Sequence, residues 1–150
     1  MPAFSASFAA GVLAYMLATF NGGYVWHLVL FNEQYLSLKT WSRFDDPLIP
    51  FGVAAIALQA LLISYMLPVH QRATGGSGAL SGARFGLWVA GLMISVAIFA
   101  HSAKNNVACI EGFIAIEGVY CLLQFPLSCA FVAVARERAG AARPSTSKTA

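Results

Sequence analysis

The hydrophobic positions of this chain form four continuous runs that are separated by short polar stretches. The runs cover roughly residues 11–30, 51–67, 85–100 and 113–134. Each is close to the about 17 to 25 apolar residues that a helix needs to cross a bilayer. The runs lack the alternation of apolar and polar residues that marks the strands of a membrane β-barrel. The pattern therefore predicts an all-α integral membrane protein, in which residues 1–138 form one four-helix bundle.

The composition places most of this chain in lipid. Of its 150 residues, 59% are apolar and only 10% are charged, and the mean hydropathy is +0.70, which is too high for a soluble domain whose surface faces water. No Lys or Arg precedes the first apolar run, so we expect the first span to be retained rather than cleaved as a secretory signal. The net charge of +3 comes without a dense basic stripe, so we expect no nucleic acid partner.

The cations are unevenly distributed over the polar stretches, and this bias predicts an orientation. The stretch after the second span and the C-terminal tail hold six of the Lys and Arg residues, whereas the other two loops hold three. Because basic residues are enriched on the cytoplasmic side of membrane proteins, we expect both termini in the cytoplasm. The Gly- and Ser-rich residues 71–84 predict a flexible linker, and residues 139–150 predict a flexible cytoplasmic tail.

The polar stretch after the first span mixes aromatic residues with charged ones. It predicts a short interfacial helix that ends before Asp45, with its aromatic side chains at the depth of the lipid headgroups. Pro47 and Pro50 then mark the start of the second span, because the missing amide proton of proline costs nothing in the first turn of a helix.

Polar side chains inside the spans are informative, because a charged group at hydrocarbon depth costs on the order of 2.5 to 3.5 kcal/mol and needs an inward position and a partner. One face of the fourth span carries four such side chains at helical spacing: Glu117, Cys121, Gln124 and Ser128. His27 on the first span matches Glu117 in depth, about one turn below the same membrane boundary. We expect these two to form a polar pair, and we expect Gln59 and Gln124 to form a second level of polar contact near the midplane.

Two interpretations of the pair formed by His27 and Glu117 are open. As a structural element, it fixes the register of two helices. As a functional element, an imidazole and a carboxylate could carry protons, hold a metal ion or bind the polar head of a lipid-soluble molecule. A mixed set of His and carboxylate ligands suits copper, iron or manganese. The candidate ligands at this end of the bundle are His27, His101, Glu111 and Glu117, with Asp45 or Asp46 from the first loop.

Organic cofactors give a further set of alternatives. A haem held between His27 and His101 is disfavoured, because the two imidazoles lie at different depths. Gly23, four residues before His27, is similar to the small-residue and His spacing of bacterial light-harvesting polypeptides, which would imply a bacteriochlorophyll pigment on this helix. The sequence assigns the protein no cofactor of its own.

Four segments of the chain, YVWHLVLFNEQY, DDPLIPFG, ALQALLISYMLP and EGVYCLLQF, contain the distinctive motifs WHLxLF and PLIPFG. Together they resemble a group of small four-helix bacterial inner-membrane proteins of unknown function. The resemblance implies four spans and a location in the bacterial inner membrane, and it draws attention to His27, Pro50, Gln59 and Gln124. It implies no activity.

With few residues outside its spans, the chain leaves little room for an independent soluble activity. We therefore expect an accessory or structural subunit of a larger membrane protein complex, which packs against lipid and other membrane proteins. Small residues such as Gly52, Gly91 and Gly118 would allow close helix contacts. The alternative is a small binder or carrier of a hydrophobic cofactor, such as a quinone or a pigment, or of a metal. Enzymatic activity is not expected, because the sequence has no catalytic motif.

Overall fold

The computed structural model describes residues 5–41, 43 and 46–142. Within these residues every regular element is helical, and four helices are long and apolar enough to cross a membrane. The prediction of an all-α membrane four-helix bundle is confirmed. The elements are α1 (Ala6–Leu30), α2 (Asn32–Leu38), α3 (Ile49–Thr74), α4 (Gly78–Ser102) and α5 (Ile110–Ala141).

Local sequence explains where several of these helices begin and end. The Ser5 hydroxyl caps α1 by accepting a hydrogen bond from the Phe8 N–H at 3.2 Å, as N-cap serines commonly do. Pro50 lies in the first turn of α3, where its missing N–H leaves no helical bond unmade. Gly75 ends α3 with a φ of 66°, a left-handed conformation that glycine adopts without a steric cost.

The final parts of α1 and α4 are wider than an α-helix. Val25–Leu30 and Ile94–Phe99 form π-helical segments. The first of them closes with a hydrogen bond from the Phe31 N–H to the Trp26 carbonyl five residues earlier, at 3.0 Å. Such segments are rare and often lie at functional sites. His27 lies within the first segment.

The connection between α3 and α4 differs from its prediction. Residues 71–84 predicted a flexible linker, but α3 continues to Thr74 and α4 begins at Gly78. That prediction is wrong, because most of the small residues in this stretch are helical and some of them serve close helix packing. The predicted tail also begins inside a helix, since α5 continues to Ala141. Residues 143–150 lie outside the described residues.

The long helices pack around α5. Its closest neighbours are α4 on one side and α1 on the other, whereas α3 packs mainly against α1. Helix α5 is also the most buried of the four spanning helices. The second spanning helix of the chain, α3, therefore lies at the edge of the bundle.

The two ends of the bundle are different in content. At one end, here called the terminal end, Ser7 lies beside Gly140, and the Glu137 carboxylate accepts a hydrogen bond of 2.6 Å from the Gly78 N–H at the start of α4. At the opposite end, called the α2 end, the Ala108 N–H donates to the Leu38 carbonyl at 3.0 Å. That bond ties the connection before α5 to α2.

Two glycines let α4 approach α5 closely. A methyl group added at Gly86 would lie 2.5 Å from the Phe125 carbonyl oxygen and 2.7 Å from the Pro126 nitrogen. One added at Gly82 would collide with the Cys129 carbonyl. Small residues one helical turn apart commonly bring membrane helices into such contact. The interface between α4 and α5 therefore depends on the close approach of the two backbones.

We expect Gly86→Ala to lower the free energy of unfolding by about 1 to 3 kcal/mol, because the new methyl group meets backbone atoms that cannot rotate away. Gly91→Ala is the matched control on the same helix, since nothing lies within 4 Å of its added methyl group. It should leave stability unchanged or raise it slightly. Thermal unfolding in mild detergent measures both changes. Equal stability of the two variants would contradict this account of the interface.

Candidate functional site

The polar face of α5 lies inside the bundle. Its four side chains are buried, with 8% of Glu117, 3% of Cys121, 7% of Gln124 and 1% of Ser128 exposed. Two polar clusters form along this face. One surrounds Glu117 toward the α2 end, and the other surrounds Gln124 deeper in the bundle.

The Glu117 carboxylate is held by a residue from outside the spanning helices. The Tyr35 hydroxyl on α2 donates a hydrogen bond of 2.7 Å to its Oε1 atom. Tyr35 is only 1% exposed, although the sequence placed it with other aromatic residues at headgroup depth. A signal was present, because Phe31, Tyr35 and Leu38 recur at the spacing of one helix face. That face of α2 turns toward the bundle, with Tyr35 and Leu38 both buried.

His27 lies beside Glu117, but it is not the hydrogen-bond partner of the carboxylate. Its Nδ1 atom is 3.9 Å from Glu117 Oε1, which is beyond hydrogen-bond range. The prediction from depth therefore placed His27 near Glu117, as the structure has it. It missed the Tyr35 hydroxyl, which lies closer to the carboxylate. Among the described residues, His27 Nδ1 has no hydrogen-bond partner, although it is buried.

Aromatic rings enclose the His27 imidazole. The ring centroids of Tyr120, Tyr35 and Trp41 lie 4.6, 4.8 and 5.2 Å from it, all with edge-on geometry. Tyr35 and Trp41 also stack on each other at 4.5 Å with an interplanar angle of 10°. We call these three rings together with His27 and Glu117 the aromatic cluster. It joins α1, α2 and α5 with the chain that follows α2.

The π-helical end of α1 positions its part of the aromatic cluster. A π-helical segment has more residues per turn than an α-helix, so it shifts the side chains that follow relative to those before it. The Trp26 ring packs against Phe31 at 4.5 Å and against Tyr120 at 5.7 Å. The chain then enters α2 directly at Asn32, which brings Tyr35 back over the end of the bundle.

The environment of the Tyr35 phenol keeps it protonated. Burial raises its pKa above the ordinary value, and the hydrogen bond to Glu117 and the charge of that carboxylate raise the pKa further. These effects all disfavour the phenolate, because a second negative charge beside a carboxylate is costly in a poorly solvated site. Tyr35 is therefore a hydrogen donor to Glu117 throughout the neutral pH range.

The two midplane glutamines form their contacts through α1. The Tyr15 hydroxyl donates to Gln59 Oε1 at 2.9 Å, and the Gln124 amide donates to Ser128 Oγ at 2.7 Å and to the Ala18 carbonyl at 3.4 Å. The expected direct contact between Gln59 and Gln124 is replaced by these bonds. The reason is the packing order, since α1 lies between the helices that carry the two amides.

The candidate metal ligands are not brought together as a set, because His101 and Glu111 lie apart from His27 and Glu117. His101 packs against Phe113 at 5.5 Å and has the Asn105 amide 3.3 Å from its Nδ1 atom. The Cys109 thiol lies 3.8 Å from the Glu111 carboxylate. Within the part of the chain that the structure describes, no three His, Cys, Asp or Glu side chains form a group that could hold a metal ion. The expected set of His27, His101, Glu111 and Glu117 is therefore not assembled.

Asp46, the described member of the acidic pair in the first loop, adds nothing to that set. Asp46 is highly exposed and lies 3.9 Å from the Arg43 guanidinium. Asp45 lies outside the described residues. An exposed pair of this kind contributes little to stability.

We expect Tyr35→Phe to lower the free energy of unfolding by about 1 to 3 kcal/mol, because it leaves the buried carboxylate without its donor and preserves the ring. Tyr24→Phe is the matched control, since Tyr24 is 55% exposed. This substitution should change stability little. In a Glu117→Leu background, which removes the acceptor, the loss caused by Tyr35→Phe should shrink, and a double-mutant cycle in detergent measures this. Additive losses would show that the two side chains do not interact.

Among protein-family models, curated proteins and solved structures, none matches this chain.

Proposed function

We propose that this protein is an accessory or structural subunit of a larger membrane protein complex. One observation carries the proposal: the first part of α3 stands apart from the rest of the bundle. Every residue from 46 to 55 is exposed, including Phe51 at 74% and Ile49 at 61%. Two turns of this apolar helix therefore have all their faces available to a neighbour.

Open glycines on the outside of the bundle support a protein neighbour. Glycine weakens a helix by roughly 0.5 to 1 kcal/mol relative to alanine, and at Gly82 and Gly86 the cost is offset by a helix contact. At Gly52, Gly91 and Gly118 an added methyl group would meet nothing within 4 Å. A helix from another protein could approach at these positions as closely as α5 approaches α4. Gly52 lies within the exposed part of α3.

The interior chemistry agrees with a structural role. Several buried polar groups are joined across helices, as in the bonds from Tyr35 to Glu117 and from Tyr15 to Gln59. Interhelical bonds of this kind contribute modestly to stability and fix the relative positions of helices. The aromatic cluster therefore gives the α2 end a defined shape beside the exposed part of α3, as a docking subunit requires.

The same proposal includes the bacterial inner (cytoplasmic) membrane, with both termini in the cytoplasm. Four cations of the described chain lie on the segments of the terminal end: Arg72, Arg84, Arg136 and Arg138. Three lie in the loops of the α2 end: Lys39, Arg43 and Lys104. The excess supports a cytoplasmic position for the terminal end.

A photoreactive amino acid at Phe51 tests the proposed subunit role. In cells that produce the protein naturally, we expect it to cross-link to one defined membrane protein, which mass spectrometry identifies. Leu17 is the matched control, because it is 64% exposed on a helix that has bundle neighbours, and it should cross-link mainly to lipid. Gly52→Leu should abolish the protein adduct at Phe51. Lipid adducts alone at both positions would contradict a partner at this surface.

A second candidate function is a small binder or carrier of a hydrophobic molecule with a polar head, such as a quinone or a pigment. It is favoured by His27, whose buried Nδ1 atom lacks a hydrogen-bond partner within the described residues. An imidazole N–H at that atom could donate to a ligand carbonyl, with the surrounding rings as apolar walls. A metal is less well supported, because within the described residues no three His, Cys, Asp or Glu side chains come together.

The binder candidate predicts that the protein purified in mild detergent retains a quinone or pigment, which absorbance and mass spectrometry of the extract detect. His27→Leu should remove that molecule, and His101→Leu should not, because His101 lies outside the aromatic cluster. A purified protein without any such molecule, or equal retention by the two variants, would eliminate this candidate and leave the subunit proposal unaffected.

A further inference from the structure

A groove lies at the terminal end of the bundle, whereas the aromatic cluster lies at the α2 end. It has a volume of about 550 Å³ and lies between the last turns of α3 and the first turns of α4. Its lining includes His70, Thr74, Ser81, Arg84, Leu87 and Trp88. Neither the subunit role nor the binder role uses it.

The groove contains a cation without a matching acid. Arg84 is exposed, and among the described residues it forms no ion pair, since the pairs there join His27 to Glu117 and Arg43 to Asp46. Glu137, the acid at this end among the described residues, accepts a hydrogen bond from the Gly78 N–H at the start of α4 and does not line the groove. The lining therefore carries a cation and no acid, and it complements an anion.

Hydroxyl and imidazole groups add hydrogen-bonding capacity beside the cation. Ser81 is 5% exposed, and its hydroxyl has no hydrogen-bond partner within the described chain. The Thr74 hydroxyl donates to the His70 carbonyl at 2.9 Å, so its oxygen can still accept. The His70 ring is held against Phe85 at 5.2 Å. A phosphate ester whose headgroup also carries hydroxyl groups fits this set of donors and acceptors.

The side chains along α4 change from cationic to apolar with depth, as a phospholipid does. Leu87 and Trp88 follow Arg84 by three and four residues, so they lie on the same helix face, about 4.5 and 6 Å deeper in the membrane. Leu87 is 53% exposed and Trp88 is 76% exposed. The cation suits a headgroup, and the leucine and the indole suit the apolar part of the lipid below it. A free anion would use only the first of these two levels.

We propose that the groove between α3 and α4 binds an anionic phospholipid, with its phosphate beside Arg84 and its acyl chains along Leu87 and Trp88. Basic pockets between spanning helices are known to recognise acidic lipid headgroups. The lipid fills the space between α3 and α4 at the terminal end, close to the short connection that joins the two helices. A lipid held there links α3, which otherwise packs mainly on α1, to α4.

The test uses the full-length protein in nanodiscs that contain equal amounts of phosphatidylglycerol and phosphatidylcholine. The lipids that stay bound after transfer to detergent are counted by native mass spectrometry. We expect selective retention of phosphatidylglycerol, and we expect Arg84→Gln to weaken it roughly fivefold, which corresponds to about 1 kcal/mol per cation near a membrane surface. Arg84→Lys should retain the lipid, because it keeps the charge.

Arg72→Gln is the matched control, because Arg72 is an exposed cation at the same end whose Nε atom donates to the Pro68 carbonyl at 3.2 Å, and it does not line the groove. It should change retention less than twofold. Equal losses in Arg84→Gln and Arg72→Gln, or equal retention of phosphatidylcholine, would overturn the proposal. Displacement of the lipid by inorganic phosphate would also overturn it, since a free anion would then be the ligand.

Discussion

A carboxylate at hydrocarbon depth needs a hydrogen-bond donor from its own chain, because lipid offers none and the charged form is costly there. In this bundle the donor is the Tyr35 hydroxyl, 2.7 Å from Glu117. The bond also has an architectural effect. Glu117 lies on α5, around which the other helices pack, and Tyr35 lies on the short helix between two spans. Their bond therefore fixes the first loop against the end of the bundle, and the rings of His27 and Trp41 are held with it.

A different constraint governs the rest of the packing. Between membrane helices there is no strong hydrophobic driving force, so contact depends on how closely the backbones approach. Gly82 and Gly86 permit that approach between α4 and α5, at the place where Pro126 already lacks a backbone donor. Helix α3 has no equivalent contact along its first turns. The asymmetry of the bundle follows: three helices are tightly joined, and the fourth presents a free surface at one end and one wall of a groove at the other.

These features separate the parts of the protein that hold it together from the parts that could meet other molecules. Buried hydrogen bonds join α2 to α5 through Tyr35 and Glu117, α1 to α3 through Tyr15 and Gln59, and α1 to α5 through Thr19 and Ser128. Such cross-links are what a rigid scaffold needs. The surfaces left over are chemically distinct. The first turns of α3 are apolar and contain an open glycine, which suits another helix. The groove at the terminal end is cationic above and apolar below, which suits a lipid. A subunit that docks to a partner and holds an acidic lipid is consistent with both.

The sequence alone determined the class of the protein, because lipid selects for long apolar helices and the four runs are unmistakable in composition. It also predicted that His27 and Glu117 lie at the same depth, since helix rise converts residue number into depth. Only the tertiary structure decided which donor Glu117 takes. Depth arguments treat each span as a straight helix, and they cannot show that a π-helical end of α1 leads into a helix that returns Tyr35 to the core. The same limit explains why the predicted contact between Gln59 and Gln124 is absent: the two residues match in depth but are separated by α1. The order of helices around a bundle depends on side-chain fit between distant segments, which depth does not show. The glycines of residues 71–84 had the composition of a flexible linker, and only the contact with α5 gave them a packing role.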